Sequence, residues 1–361
     1  MTDPKRKERD TVEKVVIVAE IGCNHNGSKE MARKMVEEAK ACGVDAVKFQ
    51  TFKAKDLISR FAPKAEYQKK TTGTEDSQLE MTAKLELSME DLIELKAYAE
   101  SLGLLAFSTP FDLGSVEFLD SIGQKLWKIP SGEITNLPYL QRIGAIRREG
   151  KRIILSTGMA TIDEIRTCLR ILGEAGTPEE NIILLHCNTE YPTPDEDVNI
   201  LAINDLKANF PKVRVGFSDH SVGFTAAVGA TILGITMIEK HFTLDKNLPG
   251  PDHKASATPD ELKQLVENVR RIEVMAGSGK KTVTASERKN MIVARKSIVA
   301  LTDIRKGDRF TEKNITCKRP GNGINPMQWY EVIGRTAERD FCADELIEVE
   351  GIGWQMQDQG F

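Results

Sequence analysis

Eight apolar segments, each followed by a helix-like pattern, constrain the fold of this chain more than any other feature. Most of them are continuous apolar runs, as expected for parallel strands that are buried on both faces. Eight strand–helix units within about 260 residues predict an α/β fold, a TIM (β/α)8 barrel. The alternative is an open doubly wound sheet, but no GxGxxG motif follows the first strand to support a dinucleotide-binding fold.

The predicted strands end in polar or charged residues. The strands are 15–20, 46–52, 104–111, 126–133, 152–158, 181–188, 215–220 and 237–244. In a TIM barrel the carboxyl ends of the strands form the active site, so these residues are expected to face one another. They include Glu20, Lys48, Gln50, Thr109, Lys128, Ser131, Glu133, Ser156, Asn188, Thr189, Ser218, His220, Glu239 and His241.

His220 and His241 lie near the carboxyl ends of the last two predicted strands, separated by a Gly- and Ala-rich stretch long enough for one short helix. Parallel neighbours would bring both imidazoles to one rim of the barrel. Imidazole with nearby oxygen ligands is compatible with Mn, Fe, Co or Zn. The alternative interpretation is a pair of unrelated histidines, one in a core and one in a loop.

Lys48 and Lys128 interrupt otherwise apolar strands. Together with the strand-end hydroxyls they suit a small anion such as a phosphate or a carboxylate. They could equally form buried ion pairs with Glu20 and Glu133, and the two interpretations are compatible. A metal beside an anion site would suit an anionic substrate next to a Lewis acid.

Composition narrows the class of protein. Hydrophobic residues make up 40% and charged residues 29% of the chain, and the net charge of −4 gives no general attraction to nucleic acid or anionic membranes. The charged start, MTDPKRKERDTVEK, does not resemble a secretory signal, and the longest apolar stretch is too short to span a membrane. The cysteines have no CxxC spacing, which indicates reduced thiols in a cytoplasmic protein.

The chain is predicted to contain two domains. Residues 1–276 would form the barrel, and 277–292, which are polar, basic and rich in small residues, would form a linker. Residues 293–361 show short strands and turns and predict a small, mostly β domain. A domain of this size has a thin core and would be stabilised by contact with a partner surface.

A set of motifs, in order along the chain, resembles the sialic acid synthases, with the bacterial N-acetylneuraminate synthases as the nearest match. The motifs are AEIGCNHNG, VKFQTFKA, STPFD, WKIPSGE, STGMAT, HCNTEYPTP, GFSDHS, EKHFTLDK and GPDHKAS. The tail, from RKSIVALTDIRKGDRFTEKNIT to KRPGNGI, resembles the antifreeze-like (SAF) domain of those enzymes. The resemblance extends from about Val15 to Ile347.

The resemblance implies a transferase that condenses phosphoenolpyruvate with N-acetylmannosamine and water, giving N-acetylneuraminic acid and phosphate. It also implies a divalent metal, manganese by family habit with Mg²⁺ or Co²⁺ as alternatives, bound by His220 and His241. The HCNTEYPTP motif also resembles that of legionaminic acid synthases, so a 2,4-diacetamido-trideoxymannose is an alternative acceptor. An aldolase-type enzyme on the same barrel and a non-catalytic sugar-binding protein are further alternatives.

The resemblance also implies roles for individual residues. Glu20, Glu133 and Lys48 would be catalytic. Phosphoenolpyruvate would be held by Lys48, Thr109, Lys128, Ser131, Ser156, Ser218 and either Asn188 or Thr189. Gln50, Tyr191 and Asp252 would face the sugar. Because family members are homodimers with a swapped C-terminal domain, Arg319 would reach the active site of the partner subunit.

Overall fold

The computed structural model describes residues 14–72 and 75–353, which divide into two compact units with a boundary between Ser278 and Gly279. The charged segment 1–13 and the last part of the predicted small domain, 354–361, lie outside the described residues. In the first unit, eight strands alternate with helices. The strands are β1 Val16–Gly22, β2 Ala46–Thr51, β3 Leu105–Pro110, β4 Leu126–Ile129, β5 Arg152–Ser156, β6 Ile182–His186, β7 Arg214–Asp219 and β8 Met237–His241.

At least one helix follows each strand of the first unit, as predicted. The helices are α1 Lys29–Ala41, α2 Ala54–Leu57, α3 Glu66–Thr72, α4 Gln78–Ala83, α5 Met89–Ser101, α6 Leu113–Ser121, α7 Leu137–Ala145, α8 Ile162–Ala175, α9 Asp195–Val198, α10 Ala202–Asn209, α11 Thr225–Thr231 and α12 Pro259–Met275. Side-chain caps explain several helix starts. Ser28 accepts a hydrogen bond from the Met31 amide, and Thr161 forms a capping box with Glu164.

All eight strands are parallel and form one sheet in the order β3-β2-β1-β8-β7-β6-β5-β4. The end strands β3 and β4 lie side by side, although no ladder joins them within the described residues. The predicted TIM-type barrel is therefore confirmed, as a near-barrel with one seam. The fourth strand is shorter than predicted because Pro130, which has no N–H for a ladder, is followed by a 3-10 turn over Ser131–Glu133.

Strand alternation separates the barrel interior from the layer beneath the helices. Val18, Ala46, Ile154 and Met237 pack together inside the barrel. Side chains two positions further along a strand point to the same face, so the inner face changes from apolar to polar towards the carboxyl ends. This change occurs at Glu20, Lys48, Ser156 and Glu239, all of which are buried.

The second unit contains α13 Ala285–Ala294, β9 Ser297–Ala300, β10 Ile315–Lys318 and α14 Trp329–Val332. Strands β9 and β10 are antiparallel, and residues including Ile298, Phe310 and Phe341 form its core. Helix α13 occupies much of the segment 277–292 that the sequence predicts as a linker. No helix in residues 14–72 or 75–353 is long and apolar enough to cross a membrane.

The seam between β3 and β4 is bridged by one side chain. Gln124, only 1% exposed, accepts a hydrogen bond from the Ser108 amide and donates one to the Ser108 carbonyl, each of 2.9 Å. The Gln124 side-chain amide thus forms the two hydrogen bonds with β3 that the backbone of a neighbouring strand would otherwise form. Buried backbone groups require such partners, so Gln124 stabilises the edge of β3.

We predict that Gln124→Met, which keeps the length of the side chain, lowers the free energy of unfolding by about 2–4 kcal/mol. The reason is that two buried backbone groups of Ser108 lose their partners. Urea unfolding followed by circular dichroism measures the change. Gln264→Met, at an exposed position on α12, is the control and should leave stability nearly unchanged. Equal stability of the two variants would contradict the role of Gln124.

Candidate active site

A cavity of about 490 Å³ lies where the strands end, and it brings together most of the predicted site residues. Those that line it are Lys48, Gln50, Thr109, Lys128, Ser131, Glu133, Ser156, Thr189, Tyr191, Ser218, His220, His241 and Asp252. Residues from seven different strands or the loops after them converge here. The carboxyl end of the barrel therefore holds a single polar site, as the sequence predicts.

Three predicted residues are placed elsewhere. Glu20 is fully buried and contacts Lys48 and Gln50. The Asn188 side chain accepts a hydrogen bond from the Glu190 amide, while Thr189 lines the cavity, which favours Thr189 as the ligand-facing residue of that pair. Arg319 lies in the second unit, where its Nε donates to the Ala294 carbonyl at 3.1 Å.

Four ionisable side chains form a buried network beneath the cavity. Lys128 Nζ lies 2.7 Å from Glu239 Oε1, and Lys48 Nζ lies 3.8 Å from the same oxygen. Lys48 also pairs with Glu20 and donates to Thr109 Oγ1 at 3.2 Å. All four are less than 5% exposed. The predicted ion pairing of the lysines is therefore present, but the second carboxylate is Glu239 and not Glu133, whose carboxylate accepts a hydrogen bond from Asn136. Anion binding by the same lysines stays a prediction.

Burial and neighbouring charges shift the pKa values of the two carboxylates, Glu239 and Glu20, in opposite directions. Burial opposes the charge on Glu239, but Lys128 and Lys48 outweigh it and lower the pKa of Glu239 to about 2. Burial raises the pKa of Glu20 to about 7 against the lowering effect of Lys48. Burial also lowers the pKa of Lys128. Glu239 therefore serves as a fixed anion, while Glu20 can hold or release a proton near neutral pH.

The two predicted metal-binding histidines are neighbours. The ring centroids of His220 and His241 are 5.3 Å apart, and the Tyr191 ring stacks on His220 at 4.2 Å. His220 Nδ1 pairs with the Asn188 carbonyl, which fixes the ring and leaves Nε2 directed at Tyr191 and Ser218 hydroxyls, each at 3.2 Å. Burial lowers the pKa of His220 to about 4, so its imidazole is neutral.

His241 supplies a second nitrogen that is not otherwise used. Its Nδ1 is buried and has no hydrogen-bond partner among the described residues, and Asp252 Oδ2 lies 3.9 Å away. Burial lowers the pKa of His241 well below its usual range. Two neutral imidazoles with an unpaired nitrogen and a nearby carboxylate are the donor set that a divalent cation requires.

The residues present fit an open metal site. Within residues 14–72 and 75–353, no group of three His, Cys, Asp or Glu side chains surrounds one point in ligating geometry. A cation at His220 and His241 would therefore complete its coordination with water or substrate oxygens. Open positions of this kind are typical of catalytic rather than structural metal sites.

Sequence reasoning did not assign a site role to several residues. Glu239, which the sequence places among the strand-end residues but without a role, forms the centre of the charge network. Its position two residues before His241 puts both side chains on one strand face. Cys23 and Tyr67 also line the cavity, Tyr67 with its ring 5.4 Å from that of Tyr191. The alternating residues Asp219 and Lys240 point away from the cavity and pair at 3.1 Å, fully buried.

Comparison with known proteins assigns the chain to a family. Residues 35–281 match the NeuB family and residues 295–349 match the SAF domain. A relative from Campylobacter jejuni, N,N'-diacetyllegionaminic acid synthase, is 50% identical, with 93% of this chain and 99% of the relative covered. A protein of the same name from Legionella pneumophila is 42% identical, with coverage of 93% and 94%.

A solved structure shares both sequence and fold. The N-acetylneuraminic acid (sialic acid) synthetase from Leptospira borgpetersenii serovar Hardjo-bovis, crystallised with citrate, is 32% identical with a TM-score of 0.68. The alignment covers 78% of this chain and 91% of that one. The family resemblance inferred from the sequence motifs is therefore confirmed.

We predict that Glu239→Gln lowers the free energy of unfolding by about 3 kcal/mol, because it leaves two buried lysines without their shared carboxylate. Urea unfolding measures the loss. The matched control is Glu117→Gln, which breaks the exposed Arg142–Glu117 pair and should have little effect. If both substitutions changed stability equally, Glu239 would not be holding the lysine charges.

Proposed function

The chain belongs to the NeuB family, whose members are phosphoenolpyruvate-dependent condensing enzymes, and from that premise we propose that its acceptor is the open-chain form of an acetamido sugar. One observation carries this proposal. Two buried lysines held by two carboxylates lie in the same cavity as a pair of neutral, neighbouring histidines. The lysines would form an anion site and the histidines a Lewis-acid site, so one cavity could bind both substrates side by side.

Phosphoenolpyruvate binds at the lysine side of the cavity. Lys48 and Lys128 supply positive charge for its phosphate and carboxylate, and hydroxyls at the strand ends supply further hydrogen bonds. These hydroxyls belong to Thr109, Ser131, Ser156, Thr189 and Ser218. Binding the anion partly replaces the carboxylates that pair with the lysines in the free protein, so the lysines are never left unpaired.

The acceptor aldehyde lies at the histidine side. Enzymes of this family generally depend on a metal, and His220 and His241 would hold it, with Mn²⁺ the first choice and Mg²⁺ or Co²⁺ as alternatives. Bound there, a divalent cation supplies Lewis-acid polarisation of a carbonyl oxygen. Gln50, Tyr191 and Asp252 orient the sugar, since all three line the cavity. Tyr191 stacks on His220, and Asp252 Oδ2 lies 3.9 Å from His241 Nδ1.

The reaction forms one carbon–carbon bond and breaks one carbon–oxygen bond. C3 of phosphoenolpyruvate attacks the aldehyde carbon, whose oxygen takes up a proton. Water then adds to C2, forming a new C2–O bond, and loses a proton. The resulting C2 hydroxyl becomes the keto group as the C2–O bond to phosphate breaks, and its proton leaves with the phosphate. Glu20 is suited to hold one of these protons because burial raises its pKa to about 7. Glu133, whose pKa is also raised by burial, lies at the cavity to accept another.

Two acceptors are consistent with the sequence motifs, N-acetylmannosamine and a 2,4-diacetamido-2,4,6-trideoxymannose. We propose the second as the natural acceptor, because the relatives at 50% and 42% identity are N,N'-diacetyllegionaminic acid synthases. N-acetylmannosamine is the second candidate, supported by the fold similarity to the Leptospira N-acetylneuraminic acid synthetase.

We further propose a homodimer in which the small C-terminal domain serves the partner's active site. Helix α13 has no buried side chain over its length, and Ile292 and Val293 are 46% and 62% exposed. Exposed apolar side chains of this kind are stabilised by contact with a partner. Arg319, an exposed cation close to this helix, is then available to contact the sugar's acetamido group in the other subunit.

We predict that the protein releases inorganic phosphate from phosphoenolpyruvate only when an acetamido sugar and a divalent metal are both present. A colorimetric phosphate assay with each acceptor, with and without Mn²⁺, tests this. EDTA should abolish phosphate release and added Mn²⁺ should restore it. His220→Ala and His241→Ala should each lose Mn²⁺ binding, measured by calorimetry, together with turnover. Undiminished release in EDTA-treated protein would contradict the proposal.

We predict that Arg319→Ala raises the KM for the sugar roughly tenfold, as expected for loss of one charge-assisted hydrogen bond, with little change in the KM for phosphoenolpyruvate. Mixed dimers test whether the contact crosses subunits. Co-expression of His220→Ala and Arg319→Ala chains should restore a low sugar KM in part of the sites. In a mixed dimer, the Arg319→Ala chain has an intact barrel, and its His220→Ala partner supplies an intact Arg319. Purely additive kinetics of the two variants would contradict a swapped domain.

A further inference from the structure

The insertion between β2 and α5 contributes a group of apolar side chains to the active-site cavity. They are Leu57, Ile58, Ala62, Met81 and Leu85, which we call the insertion wall; Ser59, Tyr67, Gln68, Gln78 and Thr82 of the same insertion also line the cavity. Met81 and Leu85 are 6% and 8% exposed, and the other three residues of the insertion wall are half-buried. The insertion contains three short helices, α2, α3 and α4, and is not part of the repeating strand–helix pattern.

Aromatic contacts connect the insertion to the histidine pair. Tyr67, on α3, lies with its ring 5.4 Å from that of Tyr191, and the Tyr191 ring lies 4.2 Å from that of His220. All three side chains line the cavity. The insertion is therefore only one aromatic ring away from the point at which the acceptor's aldehyde is proposed to bind.

An acceptor fixed at its aldehyde must place its remaining carbons away from the phosphoenolpyruvate side. The lysines and strand-end hydroxyls, which line the cavity, are assigned to phosphoenolpyruvate, so we expect the distal end of the sugar to extend towards the insertion wall. A hydroxyl pressed against aliphatic and thioether groups loses hydrogen bonds to water without gaining others. A methyl group at the same place gains contact instead.

We infer that the insertion wall is a subsite for the distal carbon of the acceptor and that it selects a 6-deoxy sugar, ending in a methyl group, over a sugar ending in a hydroxymethyl group. This inference rests on the proposed condensation and adds to it the part of the protein that chooses the sugar. Gln78 and Thr82, which line the cavity within the same insertion, supply polar atoms suited to an amide substituent. The wall thus matches a deoxygenated sugar that carries additional acylamino groups.

A pair of acceptors that differ by one oxygen atom gives the sharpest test. These are N-acetylmannosamine and its 6-deoxy analogue, each assayed by phosphate release with phosphoenolpyruvate and Mn²⁺. We expect kcat/KM to be roughly 10–100-fold higher for the 6-deoxy sugar, the discrimination that an apolar pocket achieves for such a difference. Both acceptors share the aldehyde and acetamido groups, so only the distal end is tested.

Substitutions in the wall show whether it is the source of this preference. Met81→Gln keeps the side-chain length but adds an amide, and should reduce the preference roughly tenfold by lowering kcat/KM for the 6-deoxy sugar alone. Met81→Leu, which keeps the position apolar, is the matched control and should retain the preference for the 6-deoxy sugar. Leu57→Gln, at a half-buried position, provides the same test should Met81→Gln fail to fold. The KM for phosphoenolpyruvate should not change in any of them.

The possible outcomes separate the inference from the proposed function. No phosphate release from wild-type protein with these sugars or with the 2,4-diacetamido-trideoxy sugar would overturn the condensation itself. Turnover of both matched acceptors with equal kcat/KM would overturn the inference and leave the condensation intact. An equal loss for both acceptors in Met81→Gln, with a raised KM for phosphoenolpyruvate, would make the wall a structural element only and would also overturn the inference.

Discussion

The structure depends on a buried network of opposite charges inside the barrel. Lys48 and Lys128 could not remain charged in this interior without Glu20 and Glu239, because desolvating an unpaired ion costs several kcal/mol. The pairing is uneven, since Glu239 is a permanent anion and Glu20 titrates near neutral pH. When Glu20 holds a proton, the two lysines face only the one negative charge of Glu239, so the network can accept the charge of an anionic substrate such as phosphoenolpyruvate.

The sequence predicts this arrangement well because strand alternation is a local rule. Once Val18 and Ala46 are assigned to the barrel interior, Glu20 and Lys48 must follow on the same face. The same rule brings His220 and His241 to one rim, since β7 and β8 are parallel neighbours in the sheet. Caps such as Ser28 and Thr161 are equally local, because each involves only residues within the first turn of its helix.

Features that depend on distant residues could not be predicted in this way. Lys128 and Glu239 pair although they are 111 positions apart, and nothing in either strand indicates that the other supplies the counter-charge. Gln124 completes the seam of the sheet only because β3 and β4 meet there, which requires knowledge of how the barrel closes. The insertion lacks the strand–helix repeat, so neither its three helices nor its contribution to the cavity follows from periodicity.

The features that are predictable from the sequence and those that are not have different proposed tasks: the strand ends act in the condensation, and the insertion contacts the sugar. Groups that act on the reacting atoms lie on rigid strands, where the backbone ladders fix their separations. The side chains of the insertion wall, which we propose to meet the far end of the acceptor, lie outside those ladders. In the proposed function, the strand ends therefore carry the condensation, while the insertion, which lies outside the sheet, carries the choice of acceptor.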